Sequence, residues 1–191
     1  MLKLGEKGAI PQRDKETYAI APHIPCGMVT PELLRRIADV AEKYNAQAVK
    51  ITGAARIAII GLREIDIDGA WETLNLDKGA AVGLCVRSIK ACPGTQYCRL
   101  GLQDSLAMGI KLDEKFHGYE LPGKMKMGVS GCTNMCAENC IKDISLFGKK
   151  KGWTVMAGGI GTKKARLADV VAEDLDAPEA LRMIERIIDF Y

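Results

Sequence analysis

Between Thr30 and Asn45 the apolar positions Leu33, Leu34, Ile37, Val40, Ala41 and Tyr44 recur every three or four residues. That spacing lines one face of a helix. Thr30–Pro31 supplies its start, a hydroxyl cap followed by proline in the first turn, and Asn45 its end. Upstream, Glu16–Pro22 reads as a short strand, and the proline- and glycine-marked stretch His23–Met28 as a turn. Downstream, Ala48–Thr52 and Arg56–Ile60 are β-type segments around the small-residue turn Gly53–Ala54–Ala55. Ile65–Leu74 reads as a second helix, interrupted by Gly69. The polar residues 1–15 carry no period and read as an irregular arm.

A second series begins near Ala80. Val82–Ile89 is apolar and β-like, and Cys98–Leu112 has helical spacing. Lys124–Ser130 alternates as a strand. Ile141–Phe147 and Trp153–Ala157 form a hairpin around Gly148–Gly152. Ala177–Tyr191 closes the chain as an amphipathic helix with Leu181, Ile184, Ile187 and Ile188 in register. The first series runs strand, helix, strand, strand, helix, which is most of a ferredoxin-like split βαβ unit. The expected fold class is α+β in two lobes, with an arm over 1–15, a ferredoxin-like half-domain over 16–79 and a second lobe over 80–191.

Composition narrows the function classes. A hydrophobic share of 48% and a charged share of 27% suit a globular chain with a real core. A net charge of +3, with no basic stripe interleaved with aromatics, does not point to nucleic acid. The run Lys149–Lys151 before Gly152 reads as a solvated turn. No apolar stretch reaches the length of a membrane span, and Met1–Lys15 has no apolar signal core. A cytoplasmic location is the default expectation.

Seven cysteines change the picture. An odd number without an export signal argues against a disulfide framework and for metal or redox chemistry. Cys26 and Cys85 stand apart and read as small buried hydrophobes. The other five form Cys92-x5-Cys98 and Cys132-x3-Cys136, with Cys140 four positions further. Iron–sulfur clusters take four thiolates, each delivered by a loop able to wrap inorganic sulfur. Pro93–Gly94 and Gly131 suit such loops. The pairs lack the two-residue spacing of structural zinc sites and the compact run of a bacterial ferredoxin. Cys132, Cys136 and Cys140 would share a face if they lay on a helix. Spacing leaves open which four of the five ligate, and leaves zinc or simple packing as weaker readings.

The segment Arg87–Ser105, holding Cys92 and Cys98, together with Gly131-Cys132-Thr-Asn-Met-Cys136-Ala-Glu-Asn-Cys140-Ile-Lys-Asp143, resembles the sirohaem/[4Fe–4S] sulfite and nitrite reductases. The likeness is nearest to assimilatory nitrite reductase large subunits and dissimilatory-type sulfite reductases. Thr52-Gly-Ala-Ala-Arg56-Ile57 with Gly61, and Gly158-Gly-Ile-Gly161 with Arg166, resemble further stretches of that family. The resemblance implies a ferredoxin-like half-domain followed by a sirohaem/[4Fe–4S] lobe. It also implies a cubane on Cys92, Cys98, Cys132 and Cys136, with Cys136 bridging to the sirohaem iron. The implied reaction is six-electron reduction of a small oxyanion, sulfite to sulfide or nitrite to ammonia.

Charge requirements agree with this. An oxyanion and a carboxylate-rich tetrapyrrole both call for Arg and Lys. Lys124 and Lys126 fall on one side of a strand. They match two family lysines that bind and protonate substrate, and their side is expected to face the haem. Arg56 and Arg87 resemble anion-contacting arginines. Arg99, Lys142 and Arg166 are weaker candidates, better read as surface charges, and His23 and His117 match no ligand. Members of the family usually hold two copies of this lobe pair, and this chain has one. A homodimer or a partner subunit is therefore expected to complete the sirohaem pocket. With no flavin or nicotinamide module in the sequence, electrons are expected from a ferredoxin-like or other donor. The competing function is an iron–sulfur electron-transfer or cofactor-carrying protein without reductase activity.

Overall fold

A computed structural model describes residues 1–191. The chain divides into two compact units, Met1–Gly83 and Leu84–Tyr191.

The first unit is a four-stranded antiparallel sheet in the order β1-β2-β4-β3. Its strands are β1 (Ala9–Pro11), β2 (Thr17–Ile20), β3 (Ala48–Ile51) and β4 (Ile57–Arg63). Helices α1 (Pro31–Lys43) and α2 (Ile67–Leu74) supply Ile37, Val40, Ile67, Ala70, Trp71 and Leu74 to the core, which they share with Tyr18, Ile20, Ile59 and Leu62. The Thr30 hydroxyl accepts from the Leu33 N–H, so α1 starts where the sequence says. The irregular arm expected over residues 1–15 is instead part of this unit. β1 pairs with β2, Leu2 and Ala9 are buried, and the Trp71 indole N–H donates to the Lys7 carbonyl at 2.8 Å. Two buried apolar residues and one strand pairing are too short a signal to show as periodicity. β3 is one of the two edge strands of the sheet and is exposed along its whole length.

The second unit is a five-stranded sheet in the order β5-β6-β7-β8-β9. The strands are β5 (Val86–Ala91), β6 (Met125–Ser130), β7 (Ile144–Lys149), β8 (Gly152–Ala157) and β9 (Asp169–Leu175). β5, β6 and β7 run parallel, and β8 and β9 continue antiparallel. A parallel pair needs a crossover, and here it contains the short α3 (Gly94–Tyr97) and then α4 (Ser105–Phe116). α5 (Ala177–Phe190) closes the chain behind a capping box of Asp176 and Glu179. No helix is long and apolar enough to cross a membrane.

Three expectations change here. The helix expected over Cys98–Leu112 does not start at Cys98, because the Leu102 and Gln103 N–H groups turn to the Gly131 carbonyl (2.8 and 3.0 Å). α4 begins only at Ser105, where the Asp104 carboxylate caps the Ala107 N–H. Cys132, Cys136 and Cys140 do not share a helix face. Their segment is a series of turns with left-handed backbone at Met135 (φ 50) and Glu138 (φ 61), ending in a 3₁₀ turn over Asn139–Ile141. β9 has no counterpart in the sequence pattern, because it is an exposed edge strand with adjacent valines and acidic flanks instead of an alternation.

Candidate metal centre

Because β5 and β6 are parallel, their C-terminal ends emerge side by side. The Cys92 N–H continues the ladder to the Val129 carbonyl at 3.0 Å. One residue past β6, the Gly131 N–H donates to the Cys92 Sγ at 3.1 Å. The two cysteine turns, far apart in sequence, are thus neighbours. Ser105 at the start of α4 donates its hydroxyl to the Cys92 carbonyl at 2.8 Å, and its Oγ lies 3.3 Å from the Cys92 Sγ.

Glycine makes this approach possible. A Cβ on Gly131 would sit 2.7 Å from the Gln103 carbonyl oxygen and 2.8 Å from the Gly94 Cα. Gly94 itself has φ +56, and a Cβ there would lie 2.4 Å from the Ser105 Oγ. The first cysteine loop therefore packs against the second backbone to backbone.

Beneath the second turn lies a buried polar pin. Asn139 is fully buried; its amide donates to the Leu146 carbonyl (2.6 Å) and the Gly128 carbonyl (3.3 Å). Its oxygen accepts from the Ser130 hydroxyl at 2.6 Å, and that hydroxyl accepts from the Ala137 N–H at 3.0 Å. Buried polar groups satisfied in this way fix a loop in one conformation.

All seven cysteines are outside any disulfide. Cys26 and Cys85 are buried, as their isolation in the sequence suggests. Cys92, Cys98, Cys132 and Cys140 are half-buried, and Cys136 is exposed. The Cys98 N–H donates to the Gly94 carbonyl at 2.8 Å, and the Cys140 Sγ turns toward the Met135 Sδ at 3.4 Å. No three His, Cys, Asp or Glu side chains converge as the ligands of one metal ion. A single zinc draws its thiolates to about 2.3 Å from one centre, whereas an iron–sulfur cubane takes four thiolates on separate irons. An all-thiol donor set on two adjoining, glycine-lined turns fits the cubane.

The charged candidates distribute unevenly. Lys124 and Lys126 are exposed and lie on the same side of β6. They stand at its opening end, however, and Cys132 lies beyond its far end, about 20 Å from Lys126 for an extended strand. The structure does not bring the lysine pair and the thiols of one chain together. Lys124 lines a surface cavity of about 360 Å³ with Asp143, Gly158, Gly159, Ile160 and Tyr191. Arg87 is half-buried at a bulge in β5, where the register against β6 shifts. Arg56 belongs to the first unit and is almost fully buried, with its guanidinium donating to the Ala21 carbonyl at 3.1 Å.

Arg99 is exposed, and Arg166 is tied to the Gly158 carbonyl at 2.7 Å and to Asp169. His23, in the first unit, and His117, in the second, are half-buried. Lys142 is not the surface charge expected. It is 9% exposed, and its ammonium meets the Glu138 carboxylate at 2.8 Å. Glu138 also accepts from Lys90 at 2.8 Å. The two lysines, Lys142 foremost, push the Glu138 carboxyl down to about 2. Sequence reasoning missed Glu138 and Lys90, although an acidic residue inside the Cys136–Cys140 loop was a visible signal.

Known proteins share this organisation. The nitrite/sulfite reductase ferredoxin-like half domain matches residues 10–76, and the nitrite and sulphite reductase 4Fe-4S domain matches residues 82–191. An assimilatory-type sulfite reductase of Nitratidesulfovibrio vulgaris is 46% identical over 185 residues, covering 97% of this chain and 85% of the relative. A nitrite reductase [NAD(P)H] of Bacillus subtilis is 39% identical over 92% of this chain, which spans only 22% of that protein. The fold also matches that of dissimilatory sulfite reductase I, with a TM-score of 0.78 over 91% of this chain and 61% of that one, at 13% identity. Two adjoining cysteine turns at the end of a parallel strand pair, preceded by a ferredoxin-like half domain, therefore place this chain in the nitrite and sulphite reductase family of oxidoreductases.

Proposed function

We propose that the chain reduces a small sulfur or nitrogen oxyanion, sulfite in the first instance, with a [4Fe–4S] cluster on Cys92, Cys98, Cys132 and Cys136 and a sirohaem joined to it through Cys136. The observation that carries this reading is the Gly131 N–H donating to the Cys92 Sγ, which holds the two cysteine turns together. Sulfite comes first because the sulfite reductase of Nitratidesulfovibrio vulgaris is 46% identical to this chain and the nitrite reductase of Bacillus subtilis 39%. When bound, the two groups supply the electrons and the iron that carry six-electron reduction of sulfite to sulfide, or of nitrite to ammonia.

The chain's own residues then have distinct tasks. Cys136 is the exposed thiol of the four, the accessibility a bridging ligand needs. Lys124 and Lys126 hold the oxyanion by charge and deliver protons to its oxygens. Arg87, re-aimed by the β5 bulge, and Arg56 add positive charge for the anion or for the tetrapyrrole carboxylates. Because Lys126 and Cys132 lie at opposite ends of β6, a second copy or a partner subunit completes the pocket. Electrons arrive from a ferredoxin-like or other separate donor.

The test is anaerobic purification followed by a visible spectrum and a reduced-viologen assay with sulfite and with nitrite. Tetrapyrrole absorption together with sulfite consumption is the expected result. Protein that carries a cluster but neither tetrapyrrole nor activity would turn the reading toward an electron carrier.

A further inference from the structure

The carboxylate of Glu138 joins three stretches of chain around the cysteine turns. Lys90 comes from β5, two residues ahead of Cys92. Glu138 lies midway between Cys136 and Cys140, and Lys142 follows Cys140 by two residues. Both ammonium groups sit 2.8 Å from the carboxylate, one on each oxygen. The Lys142 side chain is 10% exposed and needs a counter-charge where it stands. Glu138 also adopts left-handed backbone (φ 61), a conformation a non-glycine residue keeps only when its surroundings hold it.

We infer that Glu138 is a positioning residue of the metal centre: with Lys90 and Lys142 it straps the Cys132–Cys140 loop to the strand that delivers Cys92, and it fixes the charge beside the cluster. This rests on the cluster assignment proposed above. Two consequences follow from electrostatics. Adding an electron to the cluster is easier when a nearby negative charge is removed and harder when a nearby positive charge is removed. Cutting either end of the strap also loosens the two turns that present the thiolates.

The experiment compares wild type, Glu138→Gln and Lys90→Gln, each reconstituted anaerobically with iron and sulfide. Three quantities are read: iron per chain, the rate of iron loss to a chelator, and the cluster midpoint potential from absorbance. Glu138→Gln is expected to raise the potential and Lys90→Gln to lower it. Both should release iron about two- to fivefold faster, the range for a partly exposed ion pair. A merely structural role would speed iron loss without the opposed shifts. Lys90→Gln leaves the buried Lys142 paired, so the comparison survives if the glutamine at 138 hinders folding. Loaded variants that match wild type in potential and iron loss overturn the strap alone. A wild-type protein that takes up no iron overturns the cluster assignment and the strap with it.

Discussion

At the residue scale, the thiols and the lysines can be tested separately. Cys136→Ser should abolish the electronic coupling between cluster and haem and lower iron content, both visible by paramagnetic resonance and iron assay. If coupling survives intact, Cys140 becomes the bridging ligand, four positions away on the same run of turns. Lys124→Ala and Lys126→Ala should keep both cofactors and reduce turnover by about 10²- to 10⁴-fold, the usual worth of a positioned proton donor. Loss of cofactor would mean that these lysines hold the tetrapyrrole. Asn139→Ala removes a buried amide held by three partners, the Leu146 and Gly128 carbonyls and the Ser130 hydroxyl, and should cost about 1–3 kcal/mol in thermal or denaturant unfolding of the cofactor-free protein.

At the element scale, the strands and helices with strong periodicity were legible in the sequence. α1 and α5 carry both a cap signal and a buried stripe, and both form where the pattern puts them. The β7–β8 hairpin also forms around its lysine turn, with Lys149 opposite Gly152. What escaped notice was set by tertiary contacts. The stretch after Cys98 looks helical, yet its N–H groups go to the Gly131 carbonyl from another strand's end. β1 and β9 are edge strands with too little burial to alternate. At the site, cysteine spacing announced the thiols, but which groups brace them depends on three-dimensional proximity: Ser105, Asn139 and Lys90 were invisible for that reason, and Glu138 showed only as an acidic residue between two cysteines. Gly131→Ala tests the close packing of the two turns. Its Cβ would meet backbone that cannot yield, and about 1–3 kcal/mol of stability should be lost in the apo protein, with cluster uptake reduced.

At the scale of the whole molecule, one ferredoxin-like half domain precedes one 4Fe-4S domain. If a second copy completes the pocket, cofactor-loaded protein should sediment at twice the chain mass, and dilution that splits it should lower specific activity. Full activity in a monomer would remove the need for a partner copy. The parallel pairing of β5 and β6 also bears on how such a protein is made. Neither cysteine turn presents enough thiolates to hold a cubane alone, and the two meet only after the chain has completed the crossover between those strands. Iron delivery must therefore wait for the second unit to fold, and a nascent chain offered iron early would have only half a nest for it.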